Sequence, residues 1–422
     1  MEPFDSLRQE LNKLRAQGLE RAWQQVEAVQ GGRIRVKGRW LIHLASNSYL
    51  GLSLHPRVVV AAQEATARLG TGAGSARLIG GTLTPHEQLE EALASFKQAE
   101  AALLFPTGYM ANLGIITALV GPGDLVIGDH LNHASLVDAC RLSRAAFRVY
   151  PHRDLNRLAE ALNHRRGRYR RILIVTEGLF SMDGDLAPLP EIADLARRTG
   201  AWLLVDDAHG TGVLGEHGRG SLEHFGISTE GILQMGTLSK ALGSVGGFLA
   251  GPRVVVDYLK NKARPFIYTT ALPPACAAAA LEALRVVQEE PVWRQRLWEN
   301  VRQWTEGLKE AGWQLVSEGS HDSGITSGAA SPSRSHDSGI TSGAASPSRS
   351  QIVAIRIGEV EETMKLAQAL WDAGIYAPGI RPPTVPVGSA RIRTSLTALH
   401  TPADLKEALF VLSIALDLVR FS

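Results

Sequence analysis

The chain has 422 residues and a formal net charge of +2, with 45% hydrophobic and 20% charged residues. This composition is that of a globular protein with a sizeable core, and the length suits one large and one smaller domain. The balanced charge gives no reason to expect nucleic acid or an anionic membrane as a partner. Neither a long apolar run nor an apolar signal core occurs, so we expect a soluble, cytoplasmic protein without a membrane partner.

Two local features could have pointed to other classes of protein. Cys140 and Cys276 lie among alanines and leucines, so we interpret both as reduced core thiols and predict no metal site. The basic segment 164–171 precedes an apolar run. A solvated helix end explains it better than a phosphate or nucleic-acid patch, because Tyr169 is its one aromatic residue.

The N-terminal part begins with helical spacing over residues 2–30, where four leucines share one side of the predicted helix. Two short alternating runs follow at 33–36 and 40–44. A polar turn, a helix and a glycine-rich stretch come next, at 46–52, 56–69 and 70–77.

From residue 101 onward, short apolar runs alternate with helical stretches. The apolar runs lie at 101–105, 124–128, 171–176, 201–205 and 232–235, and the helical stretches at 108–120, 133–144, 154–164 and 188–199. This alternation predicts an α/β fold with a mostly parallel sheet covered by helices on both faces. Ligands of such sheets bind at the carboxyl ends of the strands, and polar residues follow the apolar runs directly.

The pattern changes after residue 273. Two long helical segments at 274–289 and 291–311 lead into a strand. A helix at 360–373, a second strand at 390–395 and a final helix at 402–418 follow it. We predict an N-terminal segment at 1–45, a large domain at 46–285 and a smaller α+β domain at 286–422. Residues 320–334 recur unchanged at 335–349. This polar segment cannot offset its ordering entropy by burial, so we predict a flexible loop at 318–350 without chemistry.

Lys240 stands between an apolar run and the glycine-rich segment 243–251, in a chain with nine lysines and 35 arginines. A lysine among small and hydroxyl residues at a strand end can form a Schiff base with an aldehyde cofactor. The heptapeptide 237–243 alone is explained better by a solvated loop. Whether Lys240 is a Schiff-base lysine therefore depends on the polar residues at the other predicted strand ends.

Asp206 ends a buried type of strand, where a carboxylate needs a positive partner such as a protonated pyridine nitrogen. His209 could reach the same ligand, although a capping Asp and a surface His explain these two residues equally well. Residues 210–215 match the dinucleotide G-x-G-x-x-G pattern. We reject that interpretation because the glycines do not open a helix.

Three further strand ends carry polar groups. Gly108 and Tyr109 begin a helix whose free N–H groups could bind a phosphate. His133 begins another helix and could stack on an aromatic ring or act as a cap, and Ser181 lies in the polar segment after the next strand. A phosphate site, a stacking residue, a carboxylate and an amine together fit one cofactor, pyridoxal 5′-phosphate.

Four motifs carry a resemblance to a known family. They are Asp-Asp-Ala-His at 206–209, Thr-Leu-Ser-Lys at 237–240, and the longer segments 129–135 and 176–185. They resemble those of the α-oxoamine synthases, fold-type-I pyridoxal phosphate enzymes that condense an amino acid with an acyl thioester and release carbon dioxide. The resemblance covers residues 19–400 apart from the repeat.

The resemblance implies a role for each matching residue. Lys240 would bond to the cofactor and act as the base on Cα, Asp206 would pair with the ring nitrogen, and His133 would stack on the ring; with His209 these are the implied catalytic residues. The other implied cofactor contacts are Gly108, Tyr109 and Thr237 at the phosphate, His209 and Ser181 at the 3′-oxygen, and Thr270 at the phosphate of a neighbouring subunit. The implied substrate contacts are Arg21, Asn47 and Arg393.

The resemblance also implies the partners. Residues 209–220 are most similar to family members that use L-alanine and a pimeloyl thioester, carried by coenzyme A or by a carrier protein. A homodimer with shared active sites is implied as well. Family members that use glycine or another acyl chain, and a non-catalytic relative that keeps the fold, remain alternatives.

Overall fold

The computed structural model describes residues 3–16, 19–21, 23–163, 167–316, 350–382 and 384–420. The predicted loop at 318–350 lies outside the described residues except for Ser350, which is buried. The first three residues of the basic segment 164–171 also lie outside them.

The strands lie in three sheets. In chain order they are β1 (Ala28–Gln30), β2 (Arg33–Val36), β3 (Arg39–His43), β4 (Ala101–Phe105), β5 (Leu125–Asp129), β6 (Ala146–Tyr150), β7 (Ile172–Glu177), β8 (Trp202–Asp206), β9 (Ile232–Thr237), β10 (Gly247–Gly251), β11 (Ile352–Gly358), β12 (Ile375–Tyr376), β13 (Gly379–Ile380) and β14 (Ala390–Ser395).

The helices occupy most of the sequence between the strands. They are α1 (Asp5–Ala16), α2 (Pro56–Leu69), α3 (Thr84–Phe96), α4 (Gly108–Leu119), α5 (Ala134–Leu142), α6 (Leu155–Asn163), α7 (Leu189–Thr199), α8 (Ser221–His224), α9 (Arg253–Lys262), α10 (Arg264–Ile267), α11 (Pro274–Glu289), α12 (Val292–Glu310), α13 (Val360–Asp372) and α14 (Pro402–Arg420). A 3-10 turn at Leu52–Leu54 and a π-type turn at Arg77–Gly81 add two short pieces.

The central sheet has the strand order β4-β10-β9-β8-β7-β5-β6. Strands β5 to β9 run parallel, whereas β10 is antiparallel to both β9 and β4. Val126 and Leu173 pack in one core cluster, and their neighbours Ile127 and Ile174 pack in another. Successive side chains of a strand point to opposite faces, so the sheet has a core on each side. The predicted α/β class is confirmed.

Strands β6 and β10 were missing from the sequence-based prediction. The sequence of β10 begins with glycine and continues the glycine-rich stretch after Lys240, which reads as a loop. A Cβ on Gly247 would lie 2.6 Å from Cα of Gly108. Only glycine allows the two backbones to come this close. The glycine that this packing requires also makes the segment look like a loop in the sequence, so the strand was not predicted.

The predicted helix over residues 2–30 is wrong at residues 19–21 and 23–30, which are not helical. Helix α1 ends at Ala16, and residues 28–30 form β1, which pairs antiparallel with β2. Gly31 adopts a φ of 55° in the turn between these strands, a conformation that glycine adopts at no steric cost. Hairpin pairing therefore takes precedence over the helical spacing of the leucines.

Two smaller sheets flank the central one, with the strand orders β1-β2-β3-β12 and β11-β14-β13. Ile375 of β12 pairs in parallel with Ile42 of β3. The N-terminal segment and the C-terminal part therefore share a sheet, and the domain boundaries at 45 and 285 stay a prediction. Within the described parts of the chain, no helix combines the length and the apolar character needed to cross a membrane.

The two cysteines differ in their surroundings. Cys140 is buried in α5, whereas Cys276 at the start of α11 is only partly buried. Both are free thiols. The prediction of a core thiol therefore holds for Cys140 and is only half right for Cys276.

Candidate active site

The carboxyl ends of the parallel strands carry the polar residues of the site. Asp129, Glu177, Asp206 and Thr237 are the last residues of β5, β7, β8 and β9. Each of them is at least 94% buried. Parallel strands end at one edge of the sheet, so these side chains lie next to one another without any need for nearness in sequence.

Lys240 lies beside this edge, in the turn between β9 and β10. Its Nζ is 2.7 Å from Nε2 of His209, and Nδ1 of His209 is 2.6 Å from the hydroxyl of Tyr49. Burial lowers the pKa of Lys240 to about 8, and it lowers the pKa of His209 as well. Burial raises the pKa of Tyr49 to about 12. At neutral pH the imidazole and the phenol are therefore neutral, and the amine loses its proton easily.

Asp206 is held by two N–H donors. Nδ2 of Asn112 donates to Oδ2 at 2.8 Å, and the backbone N–H of Ala208 donates to Oδ1 at 3.0 Å. Each carboxyl oxygen of Asp206 thus has a hydrogen-bond donor. Nδ2 of Asn112 also donates to the Ser135 hydroxyl at 2.9 Å, which lies 2.8 Å from Nδ1 of His133. A chain of hydrogen bonds thus ties the strand-end carboxylate to the imidazole at the start of α5.

His133 has the capping role, one of the two roles that the sequence left open. Its Nδ1 accepts a hydrogen bond from the backbone N–H of Ser135, so it caps α5. Burial lowers its pKa, which leaves a neutral ring at neutral pH. A neutral imidazole with a fixed orientation can stack on the ring of a bound cofactor.

The start of α4 forms a cradle of backbone groups. Thr107 is its N-cap and accepts from the backbone N–H of Met110. A Cβ on Gly108 would lie 3.4 Å from Oγ1 of Thr237, and Oγ1 of Thr237 in turn accepts from the backbone N–H of Ser239 at 3.2 Å. The free N–H groups of a helix N-terminus bind phosphate. Tyr109 is partly exposed, and its hydroxyl donates to Asp138.

Arg393 is a buried cation that contacts Ser181 and Asn47. Its Nε donates to the backbone oxygen of Ser181 at 2.6 Å, and its Nη2 donates to Oδ1 of Asn47 at 3.3 Å. Among the residues that the structure describes, no carboxylate forms an ion pair with it. A guanidinium that is only 7% exposed without a carboxylate partner is costly. It therefore has the chemistry of a site for a substrate carboxylate.

Two of the predicted site residues are exposed on the surface of the single chain. Arg21 is exposed in the segment between α1 and β1. Thr270 is also exposed, next to Ala271, whose backbone N–H donates to the oxygen of Ser75. Thr270 was expected to act on a neighbouring subunit, so a structure of the single chain leaves that prediction open.

Lys97 and Asp207 form a buried ion pair that stabilises part of the site. Nζ of Lys97 lies 2.8 Å from Oδ2 of Asp207, with both side chains almost fully buried. Oδ1 of Asp207 accepts from the backbone N–H of Ser221 at 3.1 Å, and Lys97 also donates to the hydroxyl of Thr211. The pair therefore holds the loop that follows Asp206 and carries His209. The sequence analysis missed it, because a lysine at a helix end reads as solvated.

His152 joins two loops of the site. Its Nδ1 and Nε2 each lie 2.9 Å from a carboxylate oxygen, of Asp129 and Asp185 respectively. Burial opposes the charge on His152, but the hydrogen bonds to the two carboxylates outweigh it and raise the pKa to about 9. The charged imidazole thus connects the loop before His133 to the loop that contains Ser181. The sequence offered no signal for this contact.

The residues present fit pyridoxal 5′-phosphate. The site contains a buried amine with a lowered pKa, a buried carboxyl group with a hydrogen-bond donor at each oxygen, and a helix N-terminus beside a threonine hydroxyl. The amine, the carboxylate and the helix N-terminus suit the aldehyde, the ring nitrogen and the phosphate of that cofactor. Lys240, Asp206, His133, Gly108 and Thr237 would hold it.

Comparison with known proteins agrees with this chemistry. The family model of the class I and II aminotransferases matches residues 39–412. The fold and site are therefore those of the aminotransferase class, whose cofactor is pyridoxal 5′-phosphate. Curated 8-amino-7-oxononanoate synthases from Geobacter sulfurreducens and Symbiobacterium thermophilum are 48% and 45% identical, with 96% of each chain covered. The chain belongs to the 8-amino-7-oxononanoate synthase family.

Solved structures extend the comparison. A lysine-to-alanine variant of a serine palmitoyltransferase from S. paucimobilis, with a bound PLP–myriocin aldimine, superposes with a TM-score of 0.87 at 33% identity, covering 99% of this chain and 98% of that one. An 8-amino-7-oxononanoate synthase from Francisella tularensis has a TM-score of 0.72 at 28% identity, covering 90% and 98%. The predicted fold, enzyme class and cofactor are confirmed.

Proposed function

We propose that this chain condenses L-alanine with a pimeloyl thioester and releases 8-amino-7-oxononanoate, carbon dioxide and a free thiol, a reaction of biotin biosynthesis. The names of its curated relatives, which share 42–48% of its residues, support this reaction. The observation that carries the proposal is that one site contains both a buried amine, of Lys240, and a buried guanidinium, of Arg393. Arg393 is near enough to Lys240 to contribute to the lowering of its pKa.

Each residue of the site has its own proposed role in the reaction. Bound pyridoxal 5′-phosphate supplies an electron-withdrawing ring next to Cα of the amino acid. Lys240 would hold the cofactor covalently and would accept the proton from Cα of the amino acid. Asp206 would keep a proton on the ring nitrogen. Arg393 and Asn47 bind a substrate carboxylate, with Arg393 as the charged partner.

The neutral side chains orient these groups. His209 lies between Lys240 and Tyr49, so its two ring nitrogens are both occupied and its plane is fixed. His133 is fixed by Ser135 in the same way. Gly108 and Thr237 bind the phosphate through the start of α4. These assignments, with Ser181 and His209 at the 3′-oxygen, are proposals that mutagenesis can test one at a time.

The reaction can be tested by supplying purified protein with each of three amino acids and following thiol release. L-alanine with pimeloyl-CoA or a pimeloyl carrier protein should give the fastest release, and mass spectrometry should find 8-amino-7-oxononanoate. Glycine is the alternative within the broader family. L-serine with palmitoyl-CoA is the alternative that the superposed palmitoyltransferase suggests. Faster thiol release with glycine, or with L-serine and palmitoyl-CoA, than with L-alanine and a pimeloyl thioester would reject the proposed substrates.

Replacement of Arg393 by alanine should raise the KM for alanine far more than it lowers kcat. A charged hydrogen bond contributes about 1.5–3 kcal/mol, so the KM should increase roughly 10- to 100-fold. Steady-state kinetics with varied alanine would measure the change. Arg356→Ala, a change of an arginine on the neighbouring strand β11, is the matched control. An unchanged KM in Arg393→Ala would remove the guanidinium from substrate binding.

We also propose a homodimer with shared sites. Three apolar side chains near Thr270 are largely exposed in the single chain, at 56% for Leu78, 82% for Ile79 and 72% for Tyr268. The hydrogen bond between Ala271 and Ser75 connects the segments that carry them. Exposed apolar groups of this kind mark interfaces. Sedimentation should give twice the 45.4 kDa of one chain; a monomer with full activity would contradict the proposal.

A further inference from the structure

Glu177 is a buried carboxyl that the roles above leave unused. It is the last residue of β7 and only 3% of its surface is exposed. In the parallel pairing of β7 with β8 it stands directly opposite Asp206. Paired residues of neighbouring strands point to the same face of a sheet, so two carboxyls lie side by side at the edge where the cofactor binds.

The two carboxyls have different hydrogen-bond partners. Asp206 accepts from Asn112 and from the backbone N–H of Ala208, one donor for each oxygen. Oε1 of Glu177 accepts from the backbone N–H of His133 at 2.7 Å. The strand-end aspartate is thus the better stabilised anion, and the glutamate has an oxygen left to carry a proton. Two neighbouring buried carboxyls do not ionise together at neutral pH.

The hydrogen bond to His133 gives Glu177 a structural consequence within the site. The N–H of His133 is at the cap of α5, the point from which the imidazole extends. Helix N-terminal N–H groups lack a partner within the helix. The Glu177 oxygen supplies that partner and therefore sets the position of the helix start. His133 is proposed to stack on the cofactor, so this contact acts on the ring through the imidazole.

We propose that Glu177 is a positioning residue that, as a neutral acid, fixes the start of α5 and the ring of His133, and leaves Asp206 to carry the negative charge of the pair. This inference rests on the proposed stacking role of His133. Four titratable groups face Glu177 from the elements around it: Asp206 on β8, Lys240 after β9, Asp129 on β5 and His133 before α5.

The balance of these groups favours the protonated form. Burial is the largest influence and Asp206 the next, and together they raise the pKa of Glu177 to about 8. Lys240 and the N–H of His133 act in the opposite direction but do not cancel the rise. The folded chain thus binds a proton that the unfolded chain releases near pH 4.5. Its stability should fall between pH 4.5 and about 8, relative to a variant that cannot ionise there.

Two variants of the full-length protein test the inference. Glu177→Gln is neutral at every pH and keeps an oxygen for the N–H of His133, whereas Glu177→Ala keeps neither. Thermal unfolding without cofactor should show the midpoint of Glu177→Gln rising relative to wild type by at least about 2 °C between pH 5 and pH 8. Glu299→Gln, on the exposed face of α12, is the control for the change in side chain.

Visible circular dichroism of the bound cofactor tests the positioning role at pH 7. Glu177→Gln should keep the wild-type band, and Glu177→Ala should lose at least about half of its amplitude because the imidazole is no longer held. A midpoint difference that is constant from pH 5 to 8 would overturn the neutral acid. A wild-type band in Glu177→Ala would overturn the positioning role. Failure of the alanine and pimeloyl thioester assay would affect neither measurement.

Discussion

Replacing Lys240 with alanine should lower the rate of thiol release by roughly 10³-fold or more. The variant loses both the covalent bond to the cofactor and the base that removes the Cα proton. Neither His209 nor Tyr49 can replace the amine, because burial lowers the pKa of His209 well below its usual value and raises the pKa of Tyr49 to about 12. Single-turnover assays with alanine and pimeloyl-CoA would measure the loss.

A lysine elsewhere in the chain provides the control. Lys260 is partly exposed on α9 and forms a surface ion pair with Asp257. Lys260→Ala removes the same side chain without touching the site, so its rate should stay within about twofold of wild type, as surface changes usually do. A Lys240→Ala protein that releases thiol at the wild-type rate would mean that the reaction occurs elsewhere.

Replacing Asp206 with asparagine should lower the rate by roughly 10²-fold or more, while cofactor still binds. The amide keeps the size of the side chain and can still accept from Ala208. It has no negative charge to keep a proton on the ring nitrogen, so the electron-withdrawing effect on Cα weakens. Turnover and cofactor affinity, measured on the same preparation, would separate a chemical effect from a loss of binding.

The same replacement at the neighbouring carboxylate, Asp207, should have a different effect. Asp207→Asn leaves Lys97 as a buried cation without its counterion, and breaking such a pair costs about 3–5 kcal/mol of stability. Asp207→Asn should thus lower the unfolding midpoint, whereas Asp206→Asn should leave the midpoint closer to wild type. Equal loss of stability in the two variants, with equal turnover, would show that Asp206 has a purely structural role.

Sequence patterns were sufficient for the parallel part of the sheet and for the residues at its carboxyl edge. Strands β5, β7, β8 and β9 are short apolar runs that end in a polar residue, and this pattern is local. Lys240, Asp206 and His209 could therefore be selected before their distances were known. The resemblance to the α-oxoamine synthases added Asn47 and Arg393, which no periodicity could have joined across almost 350 positions.

Other parts of the site depend on contacts that no local pattern contains. Asn112 is 1% exposed on the largely apolar helix α4. Its role follows only from its hydrogen bond to Asp206, which no local pattern shows. Lys97 and Asp207 are more than 100 positions apart and meet only in the folded chain. The helical spacing of the first 30 residues misled the prediction because strand pairing, a tertiary contact, determines residues 28–30.

Chemical reduction followed by peptide mapping tests the central claim most directly. Borohydride treatment of the protein with bound pyridoxal 5′-phosphate fixes the cofactor to whichever amine holds it, and mass spectrometry of the peptides identifies that amine. The chain has nine lysines, and the account predicts the modification on Lys240 at one group per chain. Modification of another lysine with Lys240 unchanged would contradict the account.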